Sequence, residues 1–252
     1  GTLGEASTLT EEEGRTLTRE TVATVAGRIP VLMNIAEQTT KAAIALAKSA
    51  KEDGASGLMM LPPMRYKASD AEIVHYFKSV ANSTSLPIMI YNNPVDYKLV
   101  VTLDMFQELL DACPNIQAVK ESTRDTTNIT RIKNRFGNRL AIMTGVDTLA
   151  LESLVLGADG WVAGLVDAFP AETVAIYKLI KAGRMQEAIT IYRWFMPLLE
   201  LDIHPKLVQY IKMAAVYTGI GNEYVRAPRL VLEGAERVRI EKVITDALAI
   251  RP

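Results

Sequence analysis

A lysine and a tyrosine closing two apolar runs carry the first chemical signal in this chain. Lys120 ends the run Ile116-Gln-Ala-Val-Lys120, and Tyr91 ends Pro87-Ile-Met-Ile-Tyr91. If each run is a strand, alternation places Ile116, Ala118 and Lys120 on one face. Lysine seldom lies buried without a partner, so its place at the end of an apolar strand asks for a reason. One reason is chemical: burial disfavours the charged ammonium and leaves an amine able to attack a carbonyl and form a Schiff base. The other is structural, a rim lysine paired with Glu121 or Asp147. Adjacent strands lie about 4.8 Å apart, so a phenol at Tyr91 would reach a group bound to Lys120 and shuttle its protons. The plainer reading of Tyr91 is a packed rim tyrosine with a wet hydroxyl. A third feature is the glycine-bracketed turn Gly1-Thr-Leu-Gly-Glu5. Successive backbone N–H groups in such a turn can cradle a carboxylate or phosphate, although most turns of this type only reverse the chain.

Composition narrows the chemistry further. The 252 residues carry a formal net charge of −1, with 49% hydrophobic and 23% charged side chains. That balance fits an ordinary globular enzyme and gives no electrostatic reason to expect nucleic acid or an anionic membrane as partner. The single cysteine, Cys113, cannot close an intramolecular disulfide, and His75 and His204 are the only histidines. No Cys/His cluster has metal-ligand spacing, so the expectation is an enzyme without metal or organic cofactor. No apolar run reaches the ~18 residues of a spanning helix, and no basic-then-apolar leader is visible, so the default location is the cytoplasm.

The elements that must position these groups repeat with a regular rhythm. Short branched runs at Pro30–Ile35, Gly57–Leu61, Pro87–Tyr91, Ile116–Lys120, Leu140–Thr144 and Gly160–Leu165 are each followed by a helix-like stretch. Strands alternating with crossover helices imply a parallel sheet buried on both faces. Thr39–Asp53 aligns Ala43, Leu46, Ala47 and Ala50 on one face, with Gly54 as a stop. Ser69-Asp-Ala-Glu72 reads as a capping box, and Thr102 caps Leu103–Ala112. After the sixth run the pattern turns all-helical: Phe169–Ala182, Met185–Leu201, Pro205–Thr218 and Glu233–Ile250. The spacing fits a (β/α)8 TIM barrel that this chain enters after its second strand, with a barrel domain over 1–182 and a C-terminal helical domain over 183–252. A doubly wound open sheet is the alternative, disfavoured because no Gly-x-Gly-x-x-Gly turn opens a helix. Barrels of this kind carry their reactive groups at the C-terminal strand ends, where Lys120 and Tyr91 stand.

Taken together, Gly1-Thr-Leu-Gly-Glu5, Tyr91-Asn-Asn-Pro94, Val119-Lys-Glu-Ser122 and Gly145-Val-Asp147 are similar, in order and spacing, to the dihydrodipicolinate synthase / N-acetylneuraminate lyase family. The resemblance covers essentially the whole chain. It implies a class I, aldolase-like barrel that acts on a small 2-oxo acid or cyclic imino acid, assembled as a homotetramer built from dimers. Carried over by position, Lys120 corresponds to the Schiff-base lysine, Tyr91 to the proton-shuttling tyrosine and Thr2 to its hydrogen-bonding threonine. The turn at Thr2, Leu3 and Gly4 corresponds to the substrate-carboxylate site, and Val162 to a backbone carbonyl beside the imine.

Three departures bear on the substrate. Leu3 stands where the synthase usually has a second threonine. Asp96 stands where an arginine binds the aldehyde substrate's carboxylate, and an unopposed Asp96 would repel that group. The loop Pro62-Pro-Met-Arg65 lacks the usual cross-interface tyrosine, although Tyr66 is close. The stretches Lys206–Lys212 and Val225–Arg229 are similar to the 1-pyrroline-4-hydroxy-2-carboxylate deaminase branch, which becomes the leading expectation. Dihydrodipicolinate synthesis and a pyruvate-dependent hydratase-aldolase activity are the alternatives, followed by a non-catalytic binding member of the family. Arg226 and Arg229 have the character of anion binders, with a salt bridge inside the helical domain as the plainer reading.

Overall fold

The computed structural model describes residues 1–64 and 66–252; Arg65, part of the loop noted above, lies outside the described residues. The chain folds as two compact units. One comprises Gly1 and residues 9–143, the other residues 2–8 and 144–252.

In the first unit, each apolar run expected to be extended contains a strand: β1 (Leu32–Ile35), β2 (Gly57–Met60), β3 (Ile88–Asn92), β4 (Ile116–Glu121) and β5 (Ala141–Thr144), which ends at the unit boundary. The sheet runs in sequence order, and β1 with β2, β2 with β3 and β3 with β4 pair in parallel. Between the strands lie α1 (Glu11–Val25), α2 (Thr40–Glu52), α3 (Asp70–Ala81), the short α4 (Pro94–Tyr97), α5 (Leu103–Ala112) and α6 (Thr127–Phe136). Side-chain caps set the starts of α1 to α5. Thr10 and Ser69 form reciprocal capping boxes with Glu13 and Glu72, and the Thr39 and Thr102 hydroxyls accept the N–H groups of Ala42 and Met105. At the end of α2, Gly54 adopts φ +86°, a left-handed stop that a side chain would strain.

The two sheet faces differ in a way that decides where chemistry can occur. Ile35, Met60, Ile90 and Val119 are fully buried on the face beneath the helices, with α2 packed on β1 and β2 and α5 on β4. Strand alternation turns the intervening residues to the other face. There Asn34, Met59, Met89 and Ala118 lie in one row of register partners, and Tyr91 and Lys120 form the next pair towards the strand ends. A forked ion pair ties α1 to the end of α2: Arg15 donates to Asp53 through Nε at 2.8 Å and through its terminal nitrogen at 2.9 Å.

The second unit holds β6 (Gly160–Trp161) and the helices α7 (Ala150–Val155), α8 (Pro170–Lys181), α9 (Met185–Leu199), α10 (Leu207–Tyr217) and α11 (Gly234–Ala249). Its core is aromatic and aliphatic. Phe169 meets Phe195 edge-on at 5.5 Å between centroids, Trp194 stacks on Phe195, and Leu3 packs against the same cluster. The sixth strand is shorter than the apolar run Gly160–Leu165 suggests. The cause is Asp147, fully buried, whose carboxylate accepts the Trp161 indole N–H at 2.9 Å and the Leu165 N–H at 2.8 Å. It also accepts the Gly164 N–H at 3.1 Å. A side chain takes the donors that a strand ladder would use, and the backbone turns into a 3-10 segment at Leu165–Asp167. Among the described residues no helix is long and apolar enough to cross a membrane.

Candidate active site

In the first unit, parallel pairing sets Tyr91 directly opposite Lys120 at the C-terminal ends of β3 and β4. The Lys120 Nζ stands over the phenol ring, 4.2 Å from its centroid. Lys120 is half-buried, not enclosed. The ring electrons of Tyr91 attract the ammonium, and the edge of Tyr91 meets Tyr97 at 5.6 Å and 83°. The phenol is therefore held from both sides.

The strand ends are locked behind this pair. Asn92 and Glu121 are the next register partners and point to the opposite face from Tyr91 and Lys120. The Asn92 amide donates to Glu121 Oε2 and to the Val101 carbonyl, both at 3.2 Å, and its oxygen accepts the Val101 N–H at 2.9 Å. The other Glu121 oxygen accepts the Thr123 N–H at 2.8 Å. Burial pushes the Glu121 carboxyl above the usual range in spite of these donors. Glu121 is thus committed to fixing the loop after β4.

Asn93 and Asp96 follow on the Tyr91 side. Asn93 is 5% exposed and its amide nitrogen donates to the Tyr91 hydroxyl oxygen at 3.1 Å and to Asp96 Oδ2 at 2.7 Å. Its carbonyl oxygen accepts the Asp96 N–H at 3.2 Å, capping α4. Asp96 Oδ1 lies 3.9 Å from the guanidinium of Arg124, a residue held at φ +62°. Asp96 is therefore not unopposed: an amide N–H and a guanidinium face it. The expectation that it repels a second carboxylate is corrected on this point. Asn93 lies within the motif Tyr91-Asn-Asn-Pro94 but is given no role by the sequence, and Arg124 does not stand out; the signal that could have assigned Asn93 is its place two residues beyond Tyr91, on the same side of an extended chain.

The remaining predicted residues belong to the second unit. Thr2, Leu3 and Gly4 form a turn closed by the Glu5 N–H donating to the Thr2 carbonyl at 3.0 Å. Leu3 gives its side chain to the helical core, so the departure from threonine there serves packing. Glu5, 4% exposed and at φ +54°, anchors the turn. It accepts from Lys212 Nζ at 2.6 Å and the Arg226 N–H at 2.8 Å, with Arg229 at 3.8 Å. Burial alone would raise the Glu5 carboxyl, but the Lys212 and Arg226 hydrogen bonds and the nearby cations outweigh it and hold the group below its ordinary range. The C-terminal stretches containing Lys212, Arg226 and Arg229 thus have a structural task, in keeping with the salt-bridge reading of Arg229. Val162 follows β6, its N–H donating to the Thr144 carbonyl at 2.9 Å. Among the described residues no group of three or more His, Cys, Asp or Glu side chains is arranged to hold a metal ion.

Comparison with known proteins follows the same lines. The model of the dihydrodipicolinate synthetase family matches residues 1–247. The 4-hydroxy-tetrahydrodipicolinate synthase of Clostridium tetani is 33% identical over 191 residues, covering 76% of this chain and 65% of that protein. Synthase 1 of Halalkalibacterium halodurans is 30% identical over 245 residues, covering 97% and 82%. Among solved structures, the 4-hydroxy-tetrahydrodipicolinate synthase of Methylacidiphilum fumariolicum superposes with a TM-score of 0.93 at 27% identity, over 99% of this chain and 84% of that one. The dihydrodipicolinate synthase of Acinetobacter baumannii, solved in complex with pyruvate, gives a TM-score of 0.92 at 26% identity over 99% and 86%.

Proposed function

The chain belongs to the dihydrodipicolinate synthetase family, a family of Schiff-base-forming lyases, and from that premise we propose that Lys120 condenses with pyruvate and that the product is 4-hydroxy-tetrahydrodipicolinate. The observation that carries the reading is the Lys120 amine 4.2 Å from the Tyr91 ring centroid at paired strand ends. Pyruvate is the 2-oxo acid because a relative of the same fold binds it, and synthases recur among the relatives.

The neutral Lys120 amine adds to the C2 carbonyl of pyruvate, and the carbinolamine loses water to give the imine. Tyr91 moves the protons: its hydroxyl protonates the departing oxygen and recovers a proton from the nitrogen. The iminium withdraws electrons from the methyl carbon, which loses a proton to form an enamine. The enamine attacks the aldehyde carbon of aspartate semialdehyde, forming one C–C bond. The amino group of that substrate then displaces Lys120 from the imine carbon, closing the ring and returning the lysine. The resemblance to the family assigns Thr2 to the support of the tyrosine, the N–H groups of the turn at Leu3 and Gly4 to the pyruvate carboxylate, and the Val162 carbonyl to the imine. The acting form is a homotetramer, to be checked by sedimentation.

The deaminase reading expected from the C-terminal stretches gives way on two grounds. Those stretches are occupied in holding Glu5, and Asp96 is faced by Asn93 and Arg124. Leu3 remains the feature in its favour. Parallel assays separate the two: condensation of pyruvate with aspartate semialdehyde is expected, and ammonia release from 1-pyrroline-4-hydroxy-2-carboxylate is not. Ammonia release without condensation reverses the assignment.

A further inference from the structure

Asn93 has no part in the chemistry described so far, yet its amide is aimed at the phenol oxygen that has to move protons. The orientation of that amide is determined by its surroundings. Asp96 offers an N–H on one side, which requires the Asn93 oxygen, and a carboxylate on the other, which requires the Asn93 nitrogen. Exchanging oxygen and nitrogen would set two acceptors against each other and two donors against each other. With the nitrogen fixed, one of its hydrogens goes to Asp96 and the other to Tyr91 at 3.1 Å.

We propose that Asn93 is a positioning residue for Tyr91: its amide, aligned by Asp96, donates one N–H to the phenol oxygen and so leaves the phenol's own proton directed towards the group on Lys120. The inference rests on the reading that Tyr91 serves Lys120. Three features make the device rigid. Asn93 is 5% exposed; it cannot turn without losing the α4 cap and the Asp96 contact together; and Asp96 is steadied by Arg124 at 3.9 Å. When the phenol gives up its proton, the hydrogen bond from the amide is donated to a forming anion and strengthens, so it acts where charge develops. No proton leaves Asn93, and the balance of the step is unchanged. The α4 cap alone accounts for the Asn93 oxygen but not for the nitrogen pointing at Tyr91.

The test is the rate at which the whole chain forms its pyruvate imine, followed by borohydride quenching and intact mass, for wild type, N93S, Y91F and the double variant. N93S keeps a hydroxyl able to cap α4 and removes the amide. It is expected to slow imine formation about tenfold, a fraction of what a proton-transfer group contributes, while the final extent of adduct stays the same. In the Y91F background the same substitution is expected to cost nothing further. D96N, which leaves Asn93 in place but removes the carboxylate that aligns it, is expected to slow the reaction less and with the same dependence on Tyr91. Wild-type rates in N93S, or an equal slowing with and without Tyr91, overturn the inference. If N93S is poorly folded, D96N carries the test, and an effect independent of Tyr91 overturns it again. A wild-type protein that forms no adduct overturns the Lys120 reading, and this inference falls with it.

Discussion

Tyr91 lies beneath Lys120, the amine 4.2 Å from the ring centroid, because the two are register partners on adjacent parallel strands. A slip of one residue in either strand would send one of them to the helix-covered face. The buried Asn92–Glu121 hydrogen bond at 3.2 Å, one step further on, holds that register. Y91F is accordingly expected to slow pyruvate imine formation about 100-fold with little change in the melting temperature, since the ring keeps its contacts with Lys120 and Tyr97. A rate within a factor of about two of wild type removes Tyr91 from the proton path.

Asp147 tests the second unit. Its buried carboxylate is the acceptor for Trp161, Gly164 and Leu165. D147A strands those donors out of water and is expected to cost about 3–5 kcal/mol in chemical denaturation. D147N keeps one acceptor but opposes a backbone N–H with its own amide, and is expected to cost about 2 kcal/mol. An unchanged denaturation midpoint in D147A contradicts the account of why β6 is short.

Much of this was legible in the sequence, and the misses share a cause. The apolar runs located Lys120 and Tyr91 at strand ends, and Ser69 and Thr102 marked helix starts, because those signals act within a few residues; strict alternation failed at Ile116, which a register shift beside Met89 takes off the face of Ala118 and Lys120. The run Gly160–Leu165 read as a full strand because nothing local shows that Gly164 and Leu165 donate to Asp147. Nothing local shows that the Arg226 backbone N–H donates to Glu5. Asp96 reads as unopposed because the guanidinium that faces it, Arg124, comes from the loop after β4. These pairings join residues distant in sequence, outside the reach of periodicity; the contact of Asp96 with Asn93 is the local exception.

Glu5 is the link between the C-terminal helices and the turn at Thr2–Gly4. E5Q loses the charge that draws Lys212 and Arg229 while keeping the size of the side chain. It is expected to raise the KM for pyruvate about fivefold, roughly 1 kcal/mol of binding, with kcat nearly unchanged. A fall in kcat at constant KM contradicts the anchoring role.

Acid stability follows from two depressed carboxyls. The Arg15 hydrogen bonds hold Asp53 below its ordinary range, and Glu5 is held low by its cations against the opposing effect of burial. A carboxyl with a lowered folded-state pKa stabilises above its unfolded value, about 4, and that contribution is lost as pH falls through the folded value. Denaturation midpoints are expected to fall as the pH drops below about 4, and D53N to flatten the fall. A D53N curve as steep as wild type contradicts the assignment to Asp53.

The most direct measurement of the central claim is borohydride reduction in the presence of pyruvate, read by intact mass and peptide mapping. One covalent pyruvate adduct per chain is expected, located on Lys120 and absent from K120A. An adduct that persists in K120A, that maps to another lysine, or that never forms on the wild-type chain contradicts that claim.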